Sequence, residues 1–533
     1  MRSMNSETSQ KLRGGFYTPP LLAKFLSDWA VRAGDRVLEP SCGDGSFLKA
    51  VRGLNKQPRY LLGIEIDPIE ASKARKLATD ENWVVQTSDY LDFQSDDCFD
   101  AVIGNPPFVR YQYLSDSTQK KAAAIYHENK LRFTKHTNLW APFVIKAVAS
   151  LRPGGRFAMV VPGELLNVLH AGAVRKFLLR ECSKILVIDT NELMFEGTLQ
   201  RTLMVIAIKR TPHDVKPAGI AFKNVSMRGF ADTSIQELMD NTVFMPLRDS
   251  SSKWMLGLLT EKERAAYLLL LSNPKVKIFE NIATVHVGIV TGANAFFVVN
   301  SSTSNQYSME GFLKPIFGRS SQVSGLTYTK EDHKTNWDRG VACGFLDLND
   351  YSWNELPAGI QEYIKQGEKH GLHLRYKTRI RYPWWKVPSV YSTNIALMKR
   401  ASEAPRLIAN ESKALTTDTA YRITSTIPPK TLSSLWLNSL TLLACELSGR
   451  TYGGGVLELV PSEIRSLPIP ITDVAASTAD GLDTALRKGS PVRLLLKSQN
   501  RLIAAELGVC LEVFNILEEA RMRLLSRRTR RTE

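Results

Sequence analysis

The sequence of 533 residues predicts an α/β fold: an open, mostly parallel seven-stranded sheet in the first part of the chain, followed by a mixed α/β second domain. Three observations predict it. Short apolar runs alternate with helical patterns, as successive βα units require. The first three runs end in an acid or a glycine loop and the fourth in Asn105-Pro106-Pro107. Polar residues therefore fall at the carboxyl ends of strands, where open α/β sheets bind ligands. Beyond about residue 260 the pattern changes to short strand-like pieces separated by Gly, Asn and Ser turns, as in residues 285–292.

Composition bounds the class. The length favours two large domains, expected at residues 1–210 and 261–475, with a connecting region over 211–260 and a linker plus helical basic C-terminus over 476–533. Hydrophobic content of 44% with 23% charged residues is that of a soluble globular chain. The net charge of +16 favours a polyanionic partner. Cys42, Cys98, Cys182, Cys343, Cys445 and Cys510 form no CxxC pair and no zinc-spaced cluster. That points to a reducing compartment and away from a metal. The N-terminal 13 residues carry no apolar signal region, and no apolar run reaches a membrane span. A cytoplasmic protein with no membrane partner is expected.

The first element is a helix through Leu21, Leu22, Phe25, Leu26 and Trp29, preceded by Phe16-Tyr17-Thr18-Pro19-Pro20. Thr18 reads as its N-cap and Pro19 as its first residue. Such an N-terminus can hold a carboxylate, or it is simply a helix start. A strand then leads into Glu39-Pro40-Ser41-Cys42-Gly43-Asp44-Gly45 and a second helix. Gly43 and Gly45 let a ligand approach the backbone. Their spacing fits neither the dinucleotide fingerprint nor a P-loop. The second strand carries Glu65, 20 positions after Gly45, where an acid grips ribose hydroxyls. The third, Trp83-Val84-Val85-Gln86, is followed by Asp89, placed to accept from an adenine amino group.

The fourth strand, from Phe99, delivers Asn105-Pro106-Pro107-Phe108. Two prolines fix φ and remove two N–H donors. The Asn105 side-chain oxygen and the Pro106 carbonyl then stand as fixed acceptors, with the Phe108 ring just beyond. This set suits the NH₂ group of a planar heterocycle. Its lone pair is delocalised into the ring, and two accepted hydrogen bonds localise that pair and stabilise the charge that builds during attack. A strand followed by an ordinary Asn-Pro turn is the competing reading.

Residues 156–162, 185–189 and 202–208 read as strands five to seven, the last two flanking a loop with Phe195. The Pro-rich residues 211–217 are expected to end the sheet. In the second half, Arg375, Lys377, Arg379 and Arg381 alternate with Tyr376 and lead to Tyr382, Trp384, Trp385 and Lys386. As a strand, this would place cations on one face for phosphates; a plain solvated face is the alternative. The last 13 residues hold six arginines, consistent with a solvated or disordered tail.

Taken together, Phe16-Tyr17-Thr18-Pro19-Pro20, Glu39-Pro40-x-x-Gly43-x-Gly45-x-Phe47 and Asn105-Pro106-Pro107-Phe108 resemble the γ-type adenine-N6 DNA methyltransferases of restriction–modification systems, the TaqI-like group. The resemblance is strongest over residues 16–195. In the second half Leu435-Trp436-Leu437-Asn438-Ser439, residues 453–461 and residues 464–470 resemble the group's target-recognition domain. The resemblance implies a Rossmann-like class I domain binding S-adenosyl-L-methionine through Tyr17, Thr18, Glu39, Gly43, Gly45, Glu65, Ile66, Asp89 and Tyr90. It implies a flipped adenine held by Asn105 and Pro106 and stacked on Phe108 with Phe195. It further implies double-stranded DNA as substrate, with Arg375, Lys377, Arg379, Arg381 and Lys386 as DNA contacts. A methyl on a sulfonium needs no metal, only position and an available lone pair.

About 15 residues precede the first motif, so no nuclease is expected upstream, and none is visible downstream. The expectation is a modification enzyme, monomeric on DNA, whose restriction endonuclease, if any, is a separate chain. Two alternatives stay open: a methyltransferase of the same fold acting on RNA or a protein glutamine, and a non-catalytic DNA-binding specificity protein. The large basic second half argues against the first, and intact Glu65, Asp89 and Asn105 against the second.

Overall fold

The computed structural model describes residues 18–529 apart from 79–80, 95–97, 191–201, 227, 247–253 and 453–454. The chain forms two compact units, Met1–Leu258 and Leu259–Glu533.

The first unit is built on a nine-stranded sheet. Its strands are β1 (Arg36–Glu39), β2 (Tyr60–Glu65), β3 (Trp83–Thr87), β4 (Phe99–Gly104), β5 (Leu151–Pro162), β6 (Cys182–Asp189), β7 (Thr202–Lys209), β8 (Gly219–Asn224) and β9 (Met245–Pro246). They lie in the order β3-β2-β1-β4-β5-β7-β6-β8-β9. The first five pair in parallel, and β7 is antiparallel to both its neighbours. Alternate strand residues separate the two faces. Ala101, Ile103, Ala158 and Val160 join one core with Leu22, Phe25 and Leu26 of the helix Pro20–Ala30 and with Phe47, Leu48 and Val51. The helix Trp140–Ala149, buried at eight of its ten positions, packs on β5. Strands covered on both faces need no polar side, which is why Ala101 to Gly104 of β4 read as an apolar run and the strand is buried throughout.

The sheet does not end at the Pro-rich segment. The Asp214 carboxylate accepts from the Thr211 amide (2.7 Å) and hydroxyl (2.9 Å), which closes a turn. The chain then returns as β8, parallel to β6, and adds β9. Residues expected in the connecting region thus extend the sheet. The helix Ile235–Asp240, opened by a Ser234/Glu237 capping box, covers the same core.

The strand order reverses between β1 and β4. From β1 the chain moves outward to β2 and β3, then returns to the other side as β4. A crevice opens at such a reversal outside the carboxyl ends, and both the Glu39 loop and the Asn105 loop leave the sheet there.

The second unit carries a five-stranded sheet that includes Ala283–Val287, Ala420–Ser425, Ile395–Met398 and Leu407–Asn410, with a four-stranded sheet beside it in sequence. The helix Ser439–Ser448 is buried at nine of its ten positions and packs on the C-terminal helix Leu511–Thr529. That helix corrects the expectation of a solvated tail. Arg528 makes a bidentate pair with Glu446 at 2.9 and 2.7 Å, Arg521 pairs with Glu518, and Arg523 with Glu263. Three of the terminal arginines therefore serve as internal fasteners. Among the described residues, no helix is long and apolar enough to cross a membrane.

Candidate functional site

The first wall of the site is the loop after β1. The Cys42 amide donates to the Ile64 carbonyl at 2.9 Å and the Gly45 amide to the Cys42 carbonyl at 2.8 Å, so the chain turns sharply. Gly43 (φ 53°) and Gly45 (φ 94°) both need left-handed backbone. A Cβ at Gly45 would stand 2.7 Å from Leu77 Cδ1, whereas one at Gly43 would meet open space. Gly45 is thus a packing requirement, and Gly43 faces the crevice.

Glu65, at the end of β2, ties two loops together. Its Oε2 accepts from the Gly43 amide at 2.9 Å and its Oε1 from the Asp67 amide at 2.8 Å. A carboxylate has about four acceptor positions and can also accept from hydroxyl groups. Asp67 also caps the helix Pro68–Arg75 by accepting from the Ile69 amide. Ile66 between them is exposed and offers an apolar surface.

Glu39 is 2% exposed, and its Oε2 has no hydrogen-bond partner among the described residues. Burial, and then the nearby charges of Glu65 and Asp44, push its pKa well above the usual carboxylate range. A buried carboxylate with an orphaned oxygen is strongly disfavoured unless a cationic donor meets it. This orphaned oxygen fits a positively charged cofactor.

Asp89 lies just beyond β3. Its Oδ1 accepts from the Leu91 amide at 2.9 Å and its Oδ2 from Lys121 Nζ at 2.8 Å. Tyr90 is buried, its ring against Phe143 and under Lys146, and burial pushes its phenol pKa up. Its side chain therefore belongs to the core.

The second wall follows β4. The Asn105 amide nitrogen donates to the Thr18 hydroxyl at 3.2 Å, and the Asn105 carbonyl accepts from the Ser41 hydroxyl at 3.0 Å. Thr18 does not cap the first helix as expected. Pro19 occupies the N-cap position with no side-chain bond, and Pro20 begins the helix. The hydroxyl accepts from the Asn105 side chain instead. Pro106 is buried, and Phe108 lies half-buried on the sheet core.

Beyond Phe108 the loop is stapled from below. The Leu139 amide donates to the Val109 carbonyl, the Tyr111 amide to Asn138 Oδ1 (3.1 Å), and Asn138 Nδ2 to Glu164 Oε2 (2.8 Å). Burial would raise the Glu164 pKa, but His170 and Asn138 outweigh it and hold it below the usual range. Asn138, Glu164 and Lys121 escaped the sequence reading because their partners lie 26 to 32 residues away. The only signal for Asn138 was its place in the Asn-Leu-Trp run before a helix.

Hydrogen bonds and charge interactions thus link Thr18, Glu39, Gly43, Glu65 and Asn105 at one end of the sheet. Tyr17 and Phe195 lie outside the described residues.

The basic segment of the second unit is not a strand. A 3-10 turn, Leu372–Leu374, leads into consecutive turns to residue 386. The buried Thr378 hydroxyl donates to the Leu372 and Arg375 carbonyls, winding the chain instead of extending it. Arg375, Lys377 and Arg379 are exposed and Lys386 is half-exposed. The Arg381 guanidinium is turned inward, donating to the carbonyls of Thr291 (2.8 Å) and Val290 (2.6 Å).

An open α/β sheet with a glycine-bearing acidic loop, a ribose-type acid and an Asn-Pro-Pro loop at its reversal point defines a class I methyltransferase with S-adenosyl-L-methionine as methyl donor. Similarity to known proteins carries this further. Residues 54–195 match the Eco57I restriction-modification methylase family, and residues 251–504 match the family described as the C-terminal domain of the type II methyltransferase M.Eco57I. The chain is 25% identical over 467 residues to the type II methyltransferase M.AccI of Acinetobacter calcoaceticus, covering 84% of each chain. It is 24% identical over 479 residues to M.XamI of Xanthomonas campestris pv. amaranthicola, covering 86% of this chain and 85% of the relative. In fold it is similar to the type IIL restriction–modification enzyme MmeI solved with DNA, with a TM-score of 0.59, 13% identity, and coverage of 92% of this chain and 73% of the other. These matches support a type II DNA methyltransferase of a restriction–modification system.

Proposed function

We propose that this DNA methyltransferase transfers a methyl group to N6 of an adenine extruded from duplex DNA, at a specific sequence. The observation that carries the proposal is the Asn105 amide. Its nitrogen is committed to Thr18, which sets the direction of its oxygen at the strand-order reversal.

The cofactor supplies an electrophilic methyl on a sulfonium. Glu39 would take its cationic end, Gly43 its close approach to the backbone, Glu65 its ribose hydroxyls and Asp89 its adenine amino group. Ile66 would give the adenine an apolar contact, and Tyr17 and Thr18 would complete the wall. Asn105 and the Pro106 carbonyl accept from the target NH₂ group, localise its lone pair and stabilise the charge that builds on N6. Phe108, with Phe195, stacks on the flipped base, which a duplex would otherwise keep out of reach. The second unit, with Arg375, Lys377, Arg379 and Lys386, holds and reads the duplex; Arg381 shapes that segment from within. The protein acts in the cytoplasm as a monomer on DNA; a restriction endonuclease for the same site, if any, is a separate chain.

Transfer from labelled S-adenosyl-L-methionine to duplex DNA, RNA and protein tests this reading. Single-molecule sequencing of DNA from an expressing host should map N6-methyladenine to one sequence. Label in RNA or in protein glutamine, another methylated base, or no transfer at all would overturn it.

A further inference from the structure

The turns from Leu374 to Tyr382 expose more large apolar surface than any other stretch of the second unit among the described residues. Tyr376 is 64% exposed, Ile380 67%, and Tyr382 fully exposed. Contiguous exposed apolar surface marks an interaction site.

The segment is held rigidly from beneath. Trp384 is buried on Phe296 and its indole donates to Glu368 at 3.0 Å. Val387 exchanges two hydrogen bonds with the Asn349 side chain, at 2.9 and 2.8 Å. Arg381 is locked to the Val290 and Thr291 carbonyls. Ile380 and Tyr382 both line a cleft of about 630 Å³ together with Lys377 and Lys386. Apolar tips on an anchored base form a prow, already shaped before anything binds.

Charge says what the prow meets. Lys377 Nζ lies 5.1 Å from the Tyr376 ring centroid, and the Arg379 guanidinium 5.7 Å. Arg375, Lys377 and Arg379 form no ion pair among the described residues. Free cations beside unsheltered apolar side chains suit a polyanion with stacked planar groups inside it.

We infer that Ile380 and Tyr382 form a wedge that enters a duplex between base pairs and kinks it, while Arg375, Lys377 and Arg379 hold the flanking phosphates. Wedge insertion unstacks a base step and bends the helix. The inference rests on the proposed action on duplex DNA and adds how the second unit deforms that duplex.

The test uses the full-length protein and a 40-base-pair duplex bearing the sequence found methylated in the host, with a dye at each end. Wild-type protein should raise energy transfer between the ends. The double variant Ile380→Ser/Tyr382→Ser should bind about tenfold more weakly, the scale of one lost stacking contact. It should leave the duplex straight at saturation and keep the wild-type salt dependence. Arg375→Ala should do the opposite, lowering the salt slope by about one unit while the bend persists at saturation. A mismatch that weakens stacking near the site should restore part of the double variant's affinity, which a folding defect would not allow. A double variant that bends and binds like wild type overturns the wedge, as does a wild-type complex that is straight. Methylation of the same duplex by wild-type protein is read separately, so loss of the wedge and loss of the proposed reaction are distinguishable.

Discussion

The Asn105 side-chain nitrogen donates to the Thr18 hydroxyl at 3.2 Å, across 87 residues of sequence. An amide has one donor end and one acceptor end, so committing the nitrogen orients the oxygen. Thr18→Val should loosen the orientation of Asn105 and lower kcat about tenfold, in line with the loss of one hydrogen bond of about 1.4 kcal/mol. The KM values should hardly move, and Thr18→Ser should retain most of the rate. Steady-state kinetics checks this; equal kcat for Thr18→Val and wild type would remove Thr18 from the mechanism.

On the proposed mechanism, Asn105→Ala removes an interaction that strengthens as charge builds on N6. It should lower kcat by on the order of 10²–10³ with far smaller changes in DNA and cofactor affinity. Phe108→Ala should instead depopulate the flipped base, since stacking contributes about 1–3 kcal/mol per base. A 2-aminopurine at the target position would show reduced fluorescence in the Phe108 variant and not in the Asn105 variant. The reverse pattern would exchange the two roles.

Glu39 predicts a proton linkage. Burial and the charges of Glu65 and Asp44 raise its pKa above the ordinary 4.5. Its protonated form is therefore favoured in the folded chain. The stability it lends is complete below the unfolded pKa and fades as pH rises through the folded one. A cationic cofactor reverses this preference by favouring the carboxylate, so binding should expel a proton, and affinity should increase with pH across that window. Calorimetry in buffers of different ionisation heats measures the proton. In Glu39→Gln the release should vanish; an unchanged release would place the linkage elsewhere.

Glu65, the proposed ribose acceptor, braces the loops, since its oxygens accept from the Gly43 and Asp67 amides. Glu65→Ala should weaken S-adenosyl-L-methionine binding by roughly 1.5–3 kcal/mol, the scale of a charge-assisted hydrogen bond. It should also speed amide exchange at Gly43 and Asp67. Glu65→Gln, which keeps one acceptor oxygen, should lose less. Unchanged cofactor affinity in the alanine variant would contradict the assignment.

In the second unit, the Arg528 and Glu446 side chains are only 3% and 4% exposed. Arg528→Ala strands a buried carboxylate and should destabilise the unit by about 3–5 kcal/mol, whereas Arg528→Met/Glu446→Leu together should restore much of that loss. Urea unfolding of the single and double variants decides it; a double variant as unstable as the single would mean the pair is not coupled.

Strands β2 and β4 were legible because a parallel strand covered on both faces is largely apolar along its length, and β6 and β7, though paired antiparallel, carry equally buried apolar runs. Strand β8 was hidden by the prolines before it, which make a turn instead of an exit, and β9 has only two residues to show. Glu65 and Asn105 stood out by their places at strand ends, whereas Glu39 came only with the family resemblance. The Thr18 contact could not, because it depends on how a helix start meets a distant loop. The alternation from Arg375 to Arg381 suggested a strand, yet an extended segment needs a partner ladder and an apolar face. Here Thr378 turns its hydroxyl on nearby carbonyls and bends the chain, while Arg381 spends its charge on two others.

Every described strand of the nine-stranded sheet comes from the residues up to Pro246. During synthesis at roughly 5–20 residues per second, domains tend to fold as units, N-terminal first. The whole framework around Asn105 can therefore close on the ribosome while the remaining half of the chain is still being made, a delay on the order of tens of seconds. Through that interval the nascent chain can bind its methyl donor before the second unit, the proposed reader of the duplex, has been made.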